Sequence, residues 1–383
     1  RIAANFEQLE NWLWQTVEHL DALVVSIEMF AYGGLISSRI SDEPVAILLN
    51  RLDVLRHVKQ AYPDLPIFGF NVITRISKSS ESLEEPDYWN IAGAQLYRYS
   101  QAYDQSMREN TVLPTFDDTK DNYLLDFVRR RQRNHMVNLG VLDLLADSVF
   151  DLLVMSSDDT SKYGFGSREK AWLAEWVDRR GGDNRLLMYP GADEVGTVLV
   201  VRAILQVRQI IPQFYVMYAI EVDQHRIAPF EDVPVSQTVE RQIVAVGGVQ
   251  VDNIADADVI VAVNTPAPSG NDFFQPDVAE TDRVYRQDAV QTFVKNIKTW
   301  IDDGYAVVIC DVAYPNGSDP VLVEALQSDV DLIRLASYGA WNTAGNTIGV
   351  ALGQGIANYL LQDEIAQHTF LIHRFVEDYG YMH

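Results

Sequence analysis

Short runs rich in Val, Ile, Leu, Phe and Tyr recur along the whole 383-residue chain. Each is followed by a loop of Gly, Asp, Asn, Ser and Pro and then by a segment of helical periodicity. Eight such runs are found, at residues 22–27, 67–73, 152–155, 186–189, 214–219, 259–263, 306–310 and 332–336. Several are apolar without alternation, the pattern of a strand covered on both faces, as in parallel sheets. Helices are expected between them, for example at 45–59, 88–108, 123–147, 195–208, 235–246 and 288–303. Strand-helix alternation of this kind predicts an α/β fold with a parallel sheet and crossover helices. Eight units count out a (β/α)8 TIM-like barrel, a single domain over 1–383. The alternative is two doubly wound Rossmann-like domains, 1–211 and 212–383, broken at Pro212.

Both architectures bind ligands at the carboxyl ends of the strands, so the loops after each run hold the candidate chemistry. The first contributes Glu28 and Tyr32 beside Gly33-Gly34, and the second Asn71 and Arg75, a possible carboxylate clamp. The third delivers Ser157-Asp158-Asp159-Thr160. Adjacent carboxylates repel, so one of Asp158 and Asp159 is expected to hold its proton near neutrality, as general acid catalysis needs. The bland alternative is that Asp159 or Thr160 caps the next helix. The fourth run ends in Tyr189-Pro190-Gly191-Ala192-Asp193-Glu194. Asp193 and Glu194 suit either a second acid-base pair or the first turn of a helix, where the dipole favours negative charge. Later runs add Asn264, Asp311, Asn316, Trp341, Asn342 and Asn346. Amides beside Tyr and Trp match the hydrogen-bonding edges and flat faces of sugars. Taken alone, Asn316-Gly317-Ser318-Asp319-Pro320 reads as a turn and a helix start.

Composition narrows the partners. With 54 acidic and 30 basic residues the formal charge is -24, which argues against nucleic acid and anionic membranes. The basic run Arg129-Arg130-Arg131-Gln132-Arg133 lies in a helical pattern and is expected to be solvated or ion-paired. The lone cysteine, Cys310, sits in an apolar run and reads as core. No apolar stretch reaches the roughly 20 residues of a membrane-spanning helix. No signal peptide is read, and a start at Arg1 rather than Met points to a processed or truncated beginning, so the compartment stays open. No His-Glu-x-x-His, Cys-x-x-Cys, Walker loop, dinucleotide fingerprint or Gly-x-Ser-x-Gly elbow occurs, so no cofactor is expected. An oxygen-only cation site from Asp158, Asp159, Asp193 and Asp311 is the metal alternative.

Several segments carry a family resemblance. They include Ala31-Tyr32-Gly33-Gly34-Leu35, Glu85-Pro86-Asp87-Tyr88-Trp89, Arg133-Asn134-His135, Asp158-Asp159-Thr160, Tyr189-Pro190-Gly191-Ala192-Asp193-Glu194, Val263-Asn264-Thr265-Pro266, Asp311-Val312-Ala313-Tyr314-Pro315-Asn316-Gly317 and Trp341-Asn342-Thr343-Ala344-Gly345-Asn346-Thr347. In order and over nearly the whole chain, they resemble the bacterial family catalogued as domain of unknown function 4127. The resemblance implies a further strand with an Ile-Pro-Leu-Asp-Asp/Glu-Arg-Pro type motif, which this chain lacks. It implies no activity.

The expected function is hydrolysis of a glycosidic bond, with Asp158, Asp159, Asp193 and Glu194 as the acid-base groups. Glu28, Tyr32, Asn71, Arg75, Asn264, Asp311, Asn316, Trp341, Asn342 and Asn346 would bind a small molecule or oligosaccharide. The alternatives are a magnesium-, manganese- or calcium-dependent enzyme of another class and a non-catalytic carbohydrate-binding protein.

Overall fold

In the computed structural model, which describes residues 2–116, 122–270 and 276–382, the chain divides into two compact units, Arg1–Met188 and Tyr189–His383. The α/β class and the parallel strands hold. One eight-stranded barrel does not: the strands among the described residues divide between a sheet of four and a sheet of five.

The first unit runs α1 (Phe6–Thr16), β1 (Leu23–Ser26), α2 (Ile27–Tyr32), α3 (Leu35–Ile40), α4 (Val45–Ala61), β2 (Ile67–Ile73), α5 (Trp89–Glu109), α6 (Tyr123–Ala146), β3 (Leu152–Ser157), α7 (Phe165–Arg179) and the first three residues of β4 (Leu186–Pro190). Its strands lie in the order β1-β2-β3-β4. β2 pairs in parallel with β1 through Leu23 and Ile67, and with β3 through Phe68 and Leu152. Alternate side chains (Leu23, Val25, Ile67, Ile73, Leu153, Met155) enter one buried core with Leu48, Leu52, Leu55 and Val58 of α4 and Val137, Val141 and Leu145 of α6. Gly69 belongs to this face because a Cβ there would meet the Phe150 ring at 2.7 Å. A satellite cluster of Trp89, Leu96, Phe127 and their aromatic neighbours ties α5 to α6. The basic run on α6 is ion-paired: Arg130 with Asp126 and Asp42, and Arg131 with the buried Glu169.

The second unit holds α8 (Val195–Arg208), β5 (Gln213–Tyr218), α9 (Val235–Val246), β6 (Val249–Val251), β7 (Val259–Asn264), α10 (Pro276–Asp302), β8 (Ala306–Asp311), α11 (Pro320–Asp329), β9 (Ser337–Gly339), α12 (Ala344–Leu361) and α13 (Glu364–Arg374). The strand order is β6-β5-β7-β8-β9, all parallel, so the order reverses beside β5. Ile260, Ala262, Val307, Ile309 and Tyr338 face α10, α11 and α13. α12 packs against β8, β9, α8 and α9. Its Gly355 would put a Cβ 2.2 Å from Val308, so only glycine allows that approach. Cys310 is fully buried in β8, as its apolar run implied.

Two strand assignments need correction. Residues 332–334 form a 3₁₀ turn, and the strand comes after it, at Ser337–Gly339. β6 was not expected; at three residues it is too short to show a pattern.

Leu55 is fully buried in the first core. Leu55→Ala is expected to cost about 2–5 kcal/mol, read as a lower midpoint in urea unfolding.

Candidate active site

At the carboxyl end of β2 and β3 the first unit builds a charge cluster. Arg39, at the end of α3, lies with its Nη2 2.5 Å from Asp158 Oδ2 and its Nη1 2.9 Å from Glu84 Oε2. Arg75, just past β2, has its Nη2 2.8 Å from the same Glu84 oxygen and its Nη1 3.5 Å from Asp159 Oδ2. Glu85 lies 3.8 Å from Arg39 and 3.6 Å from Arg75. Four carboxylates thus surround two guanidinium groups. Burial first, and then the charge of Asp158, push the pKa of Asp159 up to about 6; Arg75, Arg39 and Lys78 oppose the shift. Asp159 also has a φ of +40°, an unfavourable backbone for a residue with a side chain. Burial, then the Asp159 charge, raises the pKa of Tyr97 of α5, and Lys78 Nζ lies 5.9 Å from its ring centre.

The capping alternative fails for this loop. α7 starts at Phe165 behind Gly164, and neither Asp159 nor Thr160 caps it. The amide of Phe165 is satisfied instead by Ser100 Oγ at 2.8 Å, and that of Gly164 by Asp104 at 3.0 Å.

Deeper on the same sheet, Glu28 in the first turn of α2 accepts bonds from Asn71 Nδ2 and the Val72 amide, both at 2.7 Å. Its pKa is pushed up to about 7, by burial. Glu28 Oε2, Asn71 Oδ1 and Ser157 Oγ are buried without hydrogen-bond partners among the described residues. The Tyr32 hydroxyl donates to Asn134 at 3.0 Å under the Arg133 guanidinium. Glu28, Tyr32 and Asn71 therefore form the buried floor of this corner, and Arg75 and Asp159 its half-buried rim.

In the second unit the 190–194 loop meets the start of α12. Asn346 Oδ1 accepts from the amides of Ala192 (3.0 Å) and Asp193 (3.1 Å), and Asn342 Nδ2 donates to Asp193 Oδ2 at 2.9 Å. The Asn342 carbonyl accepts from the Asn316 amide at 2.8 Å. Asn316 and Asn342 both take left-handed backbone (φ +61° and +56°), which asparagine tolerates. Asp193 is exposed, Asn342, Asn316 and Trp341 are half-buried, and Asn346 is buried. Asp193 does not cap α8. Glu194 is fully buried; it accepts from its own loop at the Ala192 amide (3.0 Å) and from Gln242 Nε2 (2.8 Å). It organises the loop from within. Burial pushes its pKa up to about 7.

Asn264 and Asp311 are brought together, but inside the core. Asn264 Nδ2 donates to Asp311 at 2.8 Å and to Asp319 at 3.1 Å. The fully buried Arg286 reaches Asp319 (3.1 Å) and the Thr265 carbonyl (2.6 Å), and Tyr338 donates to Asp311 at 3.0 Å. Burial, then the Asp319 charge, raises the pKa of Asp311. Asp319 also caps α11 through the Val321 amide at 3.0 Å, with Pro320 at the first helical position, as the turn reading expected. Sequence reasoning missed Glu84, Gln242 and Arg286. Glu84 stands in a loop of polar residues, and Gln242 and Arg286 stand in helices, so no local pattern marks them.

Among the described residues, no three His, Cys, Asp or Glu side chains come together to hold a metal ion. No helix there is long and apolar enough to cross a membrane. A family model described as "Protein of unknown function (DUF4127)" matches residues 1–383. No curated protein and no solved structure matches the chain.

Burial raises Glu28 and Glu194 from ordinary values of 4.5 to about 7, so the folded state keeps protons that the unfolded chain releases. Their contribution is present at acid pH and is lost as pH rises through about 7. Glu194→Gln is expected to flatten the fall in Tm between pH 5 and pH 8, read by thermal melting across that range.

Proposed function

The chain belongs to the DUF4127 family, whose description assigns no activity, and we propose from the geometry that the first unit carries an acid-base hydrolase site for glycosidic bonds. The observation that carries this reading is the unequal surroundings of two adjacent carboxyls. Asp158 is ion-paired to Arg39 at 2.5 Å, while Asp159 is held only loosely by Arg75 at 3.5 Å and has its pKa raised to about 6. Pairs whose environments push them apart divide naturally into an acid and a charged partner.

In this reading Asp159 gives its proton to the leaving oxygen as the bond from the sugar carbon breaks. The Asp158 carboxylate faces the positive charge that develops on the ring. Water adds to that carbon, and its proton returns to Asp159. Tyr97 offers a flat face for the sugar. The half-buried rim leaves the pair open to a ligand, whereas Glu194 and Asp311 are sealed.

Asp159→Asn should lower kcat by about 10²–10⁴-fold, the usual range for general acid catalysis, with circular dichroism unchanged. For the native protein, activity should fall as pH rises through about 6, where Asp159 loses its proton. Full turnover by Asp159→Asn on a panel of alkyl glycosides and oligosaccharides, whose leaving oxygens need that proton, would remove the assignment.

A second reading, non-catalytic sugar recognition, draws support from the exposed Asp193 and its bond to Asn342 beside Trp341 in the second unit. It expects ligand binding that survives Asp158→Asn and Asp159→Asn together and is lost with Asn342→Ala, measured by calorimetry.

A further inference from the structure

One oxygen of Glu84 lies between two arginines, 2.9 Å from Arg39 Nη1 and 2.8 Å from Arg75 Nη2. The arginines are not held there by Glu84 alone. Asp158, Asp159 and Glu85 hold them as well, and the side chains of these three are 12%, 29% and 6% exposed. Glu84 is 45% exposed and comes from the loop between β2 and α5, which has no regular structure around it. It is therefore the carboxylate that can leave while the arginines stay in place. Arg39, only 5% exposed, still has a buried Nε–H without a hydrogen-bond partner among the described residues. Guanidinium groups present planar forks of donors suited to a carboxylate.

We propose that the Arg39 and Arg75 guanidinium groups form a binding site for a carboxylate on the substrate, and that Glu84 fills this site in the free protein as an internal stand-in. With Glu84 withdrawn, Asp158, Asp159 and Glu85 still hold the arginines, and an incoming carboxylate restores the charge and the acceptor that Glu84 supplied. A neutral sugar cannot replace Glu84 in this way. The substrate class is thus narrowed to acidic sugars of the uronic type, whose ring carboxylate would sit on the arginines next to the Asp158–Asp159 pair. This narrowing rests on the hydrolase reading; the binding site itself does not.

The stand-in makes a quantitative claim. If Glu84 occupies the arginines about 90% of the time, only about a tenth of the molecules can bind, and removing it tightens apparent affinity about tenfold. The test is calorimetric titration of the full chain with sodium glucuronate, glucose and inorganic phosphate. Glucuronate should bind and glucose should bind at least about tenfold more weakly, a difference of about 1.4 kcal/mol. Glu84→Ala should tighten glucuronate about tenfold, and Glu84→Gln, which keeps the side-chain size, should act in the same direction. Arg75→Gln should weaken it by a similar factor or more, with circular dichroism checking the fold.

Unchanged glucuronate affinity in both Glu84 variants overturns the proposal, as does equal binding of glucose. Phosphate binding with glucuronate silent overturns the carboxylate assignment. Turnover of a neutral glycoside with glucuronate silent removes this inference and leaves the hydrolase reading standing. Glucuronate binding tightened by Glu84→Ala, with no glycoside turned over, does the reverse.

Discussion

Parallel strands covered on their faces bring the chain's polar groups to the edge of each core at one place, their carboxyl ends. A carboxyl group delivered there must find donors, meet a counter-charge or keep its proton, because an unpaired buried charge costs several kcal/mol. The two units meet that constraint in all three ways. Asp158 meets Arg39. Asp311 takes donors from Asn264, Tyr338 and the Asp319 amide, and burial with the Asp319 charge still raises its affinity for a proton. Glu28 and Glu194 have donors too few to offset burial, and their affinity for a proton rises. The different solutions separate groups that scaffold the loops from groups open to chemistry.

The α/β class was legible because apolar runs and helical periods alternate along the chain, and the bounds of α8 and α9 agree with the pattern to the residue. Closure was not legible. Whether eight strands make one barrel or lie in separate sheets depends on which strands share hydrogen bonds, and strand count is silent on that. β9 was displaced because Leu332-Ile333-Arg334-Leu335-Ala336 is the more apolar stretch, while Ser337-Tyr338-Gly339 forms the ladder with β8. β3 extends through Ser156 and Ser157, residues of low strand propensity buried by the sheet itself.

At the site, composition marked the strand-end loops but not the pairings within them. Arg39 and Asp158 are 119 residues apart, and Asn342 and Asp193 are 149 apart. No local pattern records such partners. Burial was equally hidden: Asp193 and Glu194 are neighbours in sequence, yet one is exposed and the other fully buried. The loop turns between them because Asn346 holds the amides on one side and Gln242 holds the Glu194 carboxylate on the other.

The burial of Cys310 has a practical consequence. It is the chain's one thiol, it lies in the middle of the second sheet, and burial raises its pKa far above the ordinary value. Thiolate is the reactive form, so alkylating reagents can reach and modify it only when β8 is laid open. Native-state labelling at this atom therefore works as a clock: its rate, compared with that of a free thiol, reports how often the second unit opens, without an introduced probe and without a second cysteine to confuse the signal.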